Sequence, residues 1–163
     1  MSFDTLPSIV IDALFYALLL GAALSDIYRF RIPNSFVVAL PLLFVAAAIA
    51  APGKIAWLSH LGAGGTVLVC TAVMFHFNLM GGGDAKLLAA LAVWTGFATL
   101  LPFIVVVSVL GGVLVLILLP LRAICKRIPK VPWPRSMLPG NPLPYGVAIG
   151  GGAAVARALF PTF

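Results

Sequence analysis

The chain offers few residues for chemistry. It has four carboxylates, Asp4, Asp12, Asp26 and Asp84, and no glutamate. Two of these acids stand in unusual surroundings. Asp84 ends a three-glycine run, Met80-Gly81-Gly82-Gly83-Asp84-Ala85-Lys86, set between two long apolar stretches. Glycine permits backbone conformations that a β-carbon resists, and it lets another chain come close. A carboxylate at a membrane edge is costly without a use. A solvated interhelical turn would also favour Gly and Asp, and this stretch alone leaves the two readings even. Asp26 closes the first apolar run, in Ser25-Asp26-Ile27-Tyr28-Arg29-Phe30-Arg31-Ile32-Pro33-Asn34. Pairing with Arg29 at a helix end is the plain explanation, yet a helix C-terminus disfavours a carboxylate.

Two aspartates within hydrogen-bond range cannot both ionise cheaply, so they share a proton. One can then deprotonate a water while the other polarises a peptide carbonyl, and the pair titrates as a unit. That is aspartyl proteolysis, and it requires no metal and no cofactor. The same acids would also suit a proton-coupled transporter, where intramembrane carboxylates relay protons. A structural subunit with acids at loop edges is a third reading. Composition does not separate the three.

Other chemistries find less support. His60 and His76 are far apart, and no second ligand at metal-site spacing accompanies either. His60 reads as a solvated or headgroup-level residue, and His76 as a hydrogen-bonded neighbour. Cys70 and Cys125 form no CxxC pair, and Cys70, inside an apolar run, reads as packing. The net charge of +6 could suggest nucleic acid. Its cations form no soluble basic domain, so no nucleic-acid partner is expected.

The elements that must position the acids follow from hydropathy. The chain has 163 residues, enough for one domain spanning 1–163. It is 63% hydrophobic and 9% charged, with a mean hydropathy of +1.18. Disorder is excluded, and an ordinary soluble globule is disfavoured. Long continuous apolar runs favour membrane helices over a barrel. The first run lacks a basic preceding segment, so it is expected to remain as a span. The expected fold is all-α and polytopic, with six transmembrane helices at Ser8–Leu24, Phe36–Ala51, Leu61–Leu79, Leu87–Leu100, Phe103–Leu119 and Tyr145–Leu159.

Several features mark these spans. Asp12 lies near the start of the first, where the helix dipole tolerates it. Pro41 bends the second. Pro52-Gly53-Lys54 makes a turn, and Trp57 suits an interface. Leu87 to Leu119 is too long for one crossing, and Thr99 to Pro102 is the best break, with Gly96 as the alternative. Leu121 to Pro144 carries Arg122, Lys126, Arg127, Lys130, Arg135 and six prolines, so it reads as a polar basic loop. Gly146 and Gly150 have the spacing of helix-packing glycines.

Charge sets the span count. With six spans, Arg29, Arg31, Lys86, Arg122, Lys126, Arg127, Lys130 and Arg135 share one side, and Lys54 and Arg157 the other. With Leu87 to Leu119 as one span, the division would fall to six against four. The positive-inside rule therefore favours six spans, both termini on the non-cytoplasmic side. Asp26 and Asp84 then both lie at cytoplasmic span ends, and they are the one pair of acids able to meet.

Taken together, the motifs are similar to a known pattern. Asp26 followed by Ile32-Pro33-Asn34, then Gly81-Gly82-Gly83-Asp84-Ala85-Lys86, then Pro144-Tyr145-Gly146, resembles the signature of the type IV prepilin peptidases. These are membrane aspartyl proteases with a GxGD motif. The resemblance covers about Ser25 to Gly150. It implies Asp26 and Asp84 as the catalytic pair, Gly81 and Gly83 as the motif glycines, and Lys86 as a basic position that anchors a phosphate headgroup or tunes Asp84. Longer family members carry a cytoplasmic domain with paired CxxC motifs, linked to N-methylation. This chain has no counterpart, so it resembles the short peptidase-only members of tight-adherence (Flp) pili. The implied substrate is a prepilin, with a basic leader and a hydrophobic helix, cut at the cytoplasmic face of a bacterial inner membrane. The basic loop would meet anionic lipid rather than a basic leader.

Overall fold

A computed structural model describes residues 6–50, 55–127, 137–138 and 140–160. Five helices make it up: α1 (Leu6–Arg29), α2 (Asn34–Ala50), α3 (Trp57–His76), α4 (Gly82–Arg127) and α5 (Tyr145–Leu159). Among the described residues there is no strand. The all-α expectation is met. Three stretches are long and apolar enough to cross a membrane, Ser8–Arg29, Trp57–His76 and Gly82–Lys126, while α2 and α5 are shorter apolar helices.

The expected six separate helices are not found, because the fourth and fifth are joined as α4. Its one departure from helical geometry is at Gly96, with φ +58° and ψ −178°. The expected break at Thr99 to Pro102 is absent. Thr99 instead donates its hydroxyl to the Thr95 carbonyl at 2.8 Å, and Pro102 stays inside the helix. The reason is conformational. The region Gly96 occupies is open almost only to glycine, whereas a proline removes one donor and leaves φ helical.

A break at Gly96 frees the Phe97 N–H and the Val93 carbonyl, which an unbroken helix would join. The first turn of α3 supplies both replacements. Phe97 N–H donates to Ser59 Oγ at 3.0 Å, and His60 Nδ1 lies 2.8 Å from Val93 O. A carbonyl only accepts, so His60 carries its proton on Nδ1. The imidazole also packs on Phe44, with ring centroids 5.0 Å apart. His60 is thus a part-buried structural residue, not a solvated one.

The two halves of α4, 82–95 and 97–127, run in opposite directions. At the start of the first half, Gly83 faces Ile32, which also meets Gly146 at the start of α5. Near its end, Trp94 lies under Arg157, 5.2 Å from ring centroid to guanidinium. The first half therefore runs parallel to α5. In the second half, Val107 meets Gly152, and further along Gly111 meets Tyr145. That order is antiparallel to α5.

The first half is the centre of the molecule. Leu87, Leu88, Ala89, Ala90, Leu91, Ala92 and Trp94 are all buried, the pattern of a helix enclosed on every side. Around it, α5 packs with glycines: Gly150 lies against the Leu19 carbonyl of α1, and Gly152 against Val107. The small-residue packing expected there is present. Outward faces are apolar, including Leu20, Ile49, Leu101 and Leu116. Cys70 faces outward too, instead of packing in the core.

At the end away from Asp84, Asp12 receives two hydrogen bonds from Arg157, one from Nε at 3.1 Å and one from Nη2. Arg157 also lies over Phe15 at 5.0 Å. Asp12 is past the first turn of α1, which has no acid. It is an ion-pair partner, not a helix-dipole residue. The basic stretch also begins differently from expectation. α4 continues to Arg127, so Arg122 and Lys126 are helical, and Arg122 Nη2 donates to Pro142 O at 2.8 Å. Asp4, Lys54, Lys130 and Arg135 lie outside the described residues.

Candidate active site

Asp26 sits in the last turn of α1 and is 6% exposed. There the dipole of its own helix opposes a carboxylate. A second helix reverses that disadvantage. α5 begins after Pro144, which caps it with no side chain. Its orphan N–H at Gly146 donates to Asp26 Oδ2 at 2.7 Å. Asp26 thus does for α5 what an N-cap side chain would do. A pairing with Arg29 is not what holds it; no ion pair joins the two among the described residues.

Asp84 occupies the opposite kind of position, the first turn of α4. An acid is favoured there by the helix dipole. The Ala85 N–H bonds the Gly81 carbonyl at 2.9 Å and closes that turn. The turn is braced from α3. The buried Thr71 hydroxyl lies 2.7 Å from Val67 O and 3.3 Å from Ala85 O. α3 itself stops at His76, short of Leu79. Leu79 N–H bonds Met74 O and Asn78 N–H bonds Phe75 O, each at 2.9 Å, with Asn78 at φ +56°. This is a Schellman stop with asparagine in the left-handed position.

The motif glycines act by close approach, not by unusual φ. None of Gly81, Gly82 and Gly83 has positive φ. A β-carbon on Gly81 would lie 2.9 Å from Asp84 Oδ2, and one on Gly82 would lie 3.1 Å from Phe75. Gly83 faces Ile32 at 3.5 Å, an ordinary contact. Gly146 is tighter, with positions 2.9 Å from Asp26 Oδ2 and 3.0 Å from Ile32 Cδ1. Ile32 is buried and so wedges between the carrier of Asp84 and the helix end that holds Asp26. Tyr145 fills a notch made by Gly111; any side chain there would overlap its hydroxyl.

These pieces surround one cavity of about 570 Å³. Asp26, Ile32, Pro33, Asn34, Gly81, Gly83, Asp84 and Lys86 all line it. Both carboxylates line it, Asp26 from the end of α1 and Asp84 from the start of α4. Gly146 holds Asp26 through its N–H, with Pro144 and Tyr145 just before it at the start of α5. Sequence reasoning did not single out Ser25, Arg29, Phe30 or Arg31 as part of the site, though all four line the cavity. Their adjacency to Asp26 was the available signal. Thr71, Ser59 and Gly111 were missed as well, and nothing short of the fold marks them. No group of three or more His, Cys, Asp or Glu side chains at metal-binding distances occurs among the described residues.

A helical bundle with apolar outer faces, and an acid pair in a cavity at helix ends, has the build of a membrane-embedded hydrolase. The chain belongs to the type IV leader peptidase family, a membrane-bound peptidase family whose model matches residues 13–116. That match takes in both aspartates, Ile32-Pro33-Asn34 and the glycine run; Pro144-Tyr145-Gly146 lies beyond it. Searches of curated proteins and of solved structures gave no match.

Proposed function

We propose that the chain is a single-domain aspartyl endopeptidase, spanning 1–163, that removes the leader from type IV prepilins of the Flp kind. Asp26 and Asp84 are its catalytic pair. The observation that carries this reading is the meeting of two acids, from the end of α1 and the start of α4, in one cavity. Asp26 is fixed through Gly146 N–H. The pair holds one proton between them. The ionised member takes a proton from water, which attacks the scissile carbonyl. The protonated member donates to the carbonyl oxygen as the tetrahedral intermediate forms.

The glycine edge lets a substrate backbone lie against Asp84. Lys86, exposed on the rim, anchors a headgroup phosphate or tunes Asp84. The antiparallel halves of α4 support six crossings, with the acid end of the bundle cytoplasmic and both termini outside, in a bacterial inner membrane. Arg122, Lys126 and the basic residues after them meet anionic lipid, at about 1 kcal/mol per cation near the surface. Methylation of the product is not assigned to this chain.

The test is incubation of purified protein with candidate prepilins, followed by mass measurement of the products. Asp26→Asn and Asp84→Asn are each expected to abolish cleavage while the protein still inserts and folds. Normal processing by either variant would end the dyad assignment. A transporter would instead carry protons into liposomes and leave every peptide intact.

A further inference from the structure

Phe30 has no part in the chemistry just described, and its side chain is poorly matched to the helix-ending conformation it holds. It follows Asp26 by one helical turn and closes α1 by donating its N–H to Asp26 O at 3.0 Å. Its φ is +50°. For a bulky side chain this left-handed conformation is a true outlier, and it is destabilising. α3 ends with a residue in the same conformation, but that residue is Asn78, at φ +56°. Asparagine tolerates the left-handed region and phenylalanine does not. The end of α1 therefore carries a residue poorly suited to its backbone.

Core packing does not compensate. Phe30 belongs neither to the buried apolar cluster nor to the half-buried side chains packed against it. It is half-buried nonetheless, and it lines the cavity together with Asp26, Ile32 and Asp84. Most of the other lining residues near Asp26 are polar or charged: Ser25, Arg29, Arg31. An extended peptide whose backbone lies along the glycine edge presents successive side chains to opposite sides. One side chain next to the scissile bond would then face the segment after Asp26.

We propose that the Phe30 ring is a specificity-determining wall of the cavity, taking an apolar side chain that flanks the cleaved bond. This rests on the peptidase reading above. Phe30 lines the cavity from a strained backbone at φ +50°, and it is absent from the packed apolar core. The ring acts on substrate binding and takes no part in proton transfer.

The experiment measures kcat and KM for wild type, Phe30→Asn and Phe30→Leu in the same detergent micelles. The substrate is a cleavable prepilin and a panel in which each residue flanking the cut is replaced by alanine. Thermal melting is followed in parallel. Phe30→Asn is expected to melt at or above the wild-type temperature, since asparagine suits the backbone. Its KM should rise roughly tenfold, the scale of one apolar side chain losing its partner, with kcat unchanged. Phe30→Leu should recover most of that loss. One alanine peptide should raise KM for wild type and raise it no further for Phe30→Asn.

Equal KM for wild type and Phe30→Asn would overturn the proposal. So would a Phe30→Asn variant that melts lower and loses kcat and KM together, since the ring would then be structural. Failure of the wild type to cut any prepilin would overturn the peptidase reading itself, a result distinct from either.

Discussion

The two acids are held by opposite means, and the residues beside them inherit different tolerances. Among the described residues, Asp26 depends on a single backbone donor, Gly146 N–H at 2.7 Å. A β-carbon on Gly146 would press on Asp26 Oδ2 at 2.9 Å and on Ile32 at 3.0 Å. Neither can retreat without moving the acid or the wedge. Gly146→Ala is therefore expected to lower kcat at least tenfold, with insertion retained, measured on a cleavable prepilin. Gly83→Ala is expected to be mild, because its β-carbon would meet Ile32 at 3.5 Å. If Gly83→Ala proved the more damaging of the two, the close-approach account of these glycines would fail. Asp12→Asn should leave cleavage nearly unchanged, since Asp12 belongs to the far-end pair with Arg157. Its effect should appear in melting alone, at about 1 kcal/mol, because Asp12 is half exposed.

Among the elements, α4 does what no single residue announces. Its central half is enclosed on all sides and carries Asp84 at its first turn, so its direction sets where that acid lies. The reversal at Gly96 fixes that direction. Alanine there would have to adopt a conformation costing about 1–3 kcal/mol. Its β-carbon would also sit 3.1 Å from Ser59 Oγ and 3.2 Å from the His60 ring. Gly96→Ala is expected to lower thermal stability in detergent and to reduce cleavage in proportion to the folded fraction. Ser59→Ala would remove the partner of the exposed Phe97 N–H, at about 0.5–1.5 kcal/mol. A Ser59→Ala protein as stable as wild type would mean that Ser59 does not hold the break.

The sequence made the helical class and both acids legible, because a long apolar run and a carboxylate at its edge are visible locally. It also named Gly96 as one place where α4 could divide. It preferred Thr99 to Pro102, since proline is the stronger local breaker. What decided for Gly96 was non-local: a serine and a histidine on α3 satisfy the two groups the break exposes. For the same reason His60 was misread. A lone histidine near a turn carries no mark of a carbonyl on another helix. Asp12 was misread because Arg157 stands at the other end of the chain.

At the scale of the whole molecule, one question governs the biology: which way the acid end faces. Asp26, Asp84, Arg29, Arg31 and Lys86 gather at one end of the bundle, around the cavity. The Asp12–Arg157 pair and the Gly96 reversal lie at the other. The excess of cations at the acid end favours the cytoplasm for it, where a leader bearing basic residues would wait. Single cysteines placed in a background without Cys70 and Cys125 would settle it. Leu58, 88% exposed beside the reversal, is expected to react with a membrane-impermeant thiol reagent added to intact cells when replaced by cysteine. Lys126, exposed on the last turns of α4, is expected to react as cysteine only after the membrane is opened. The reverse pattern would put the cavity outside the cell, away from any unprocessed leader. A leader peptidase could not work from there, whatever the geometry of its two acids.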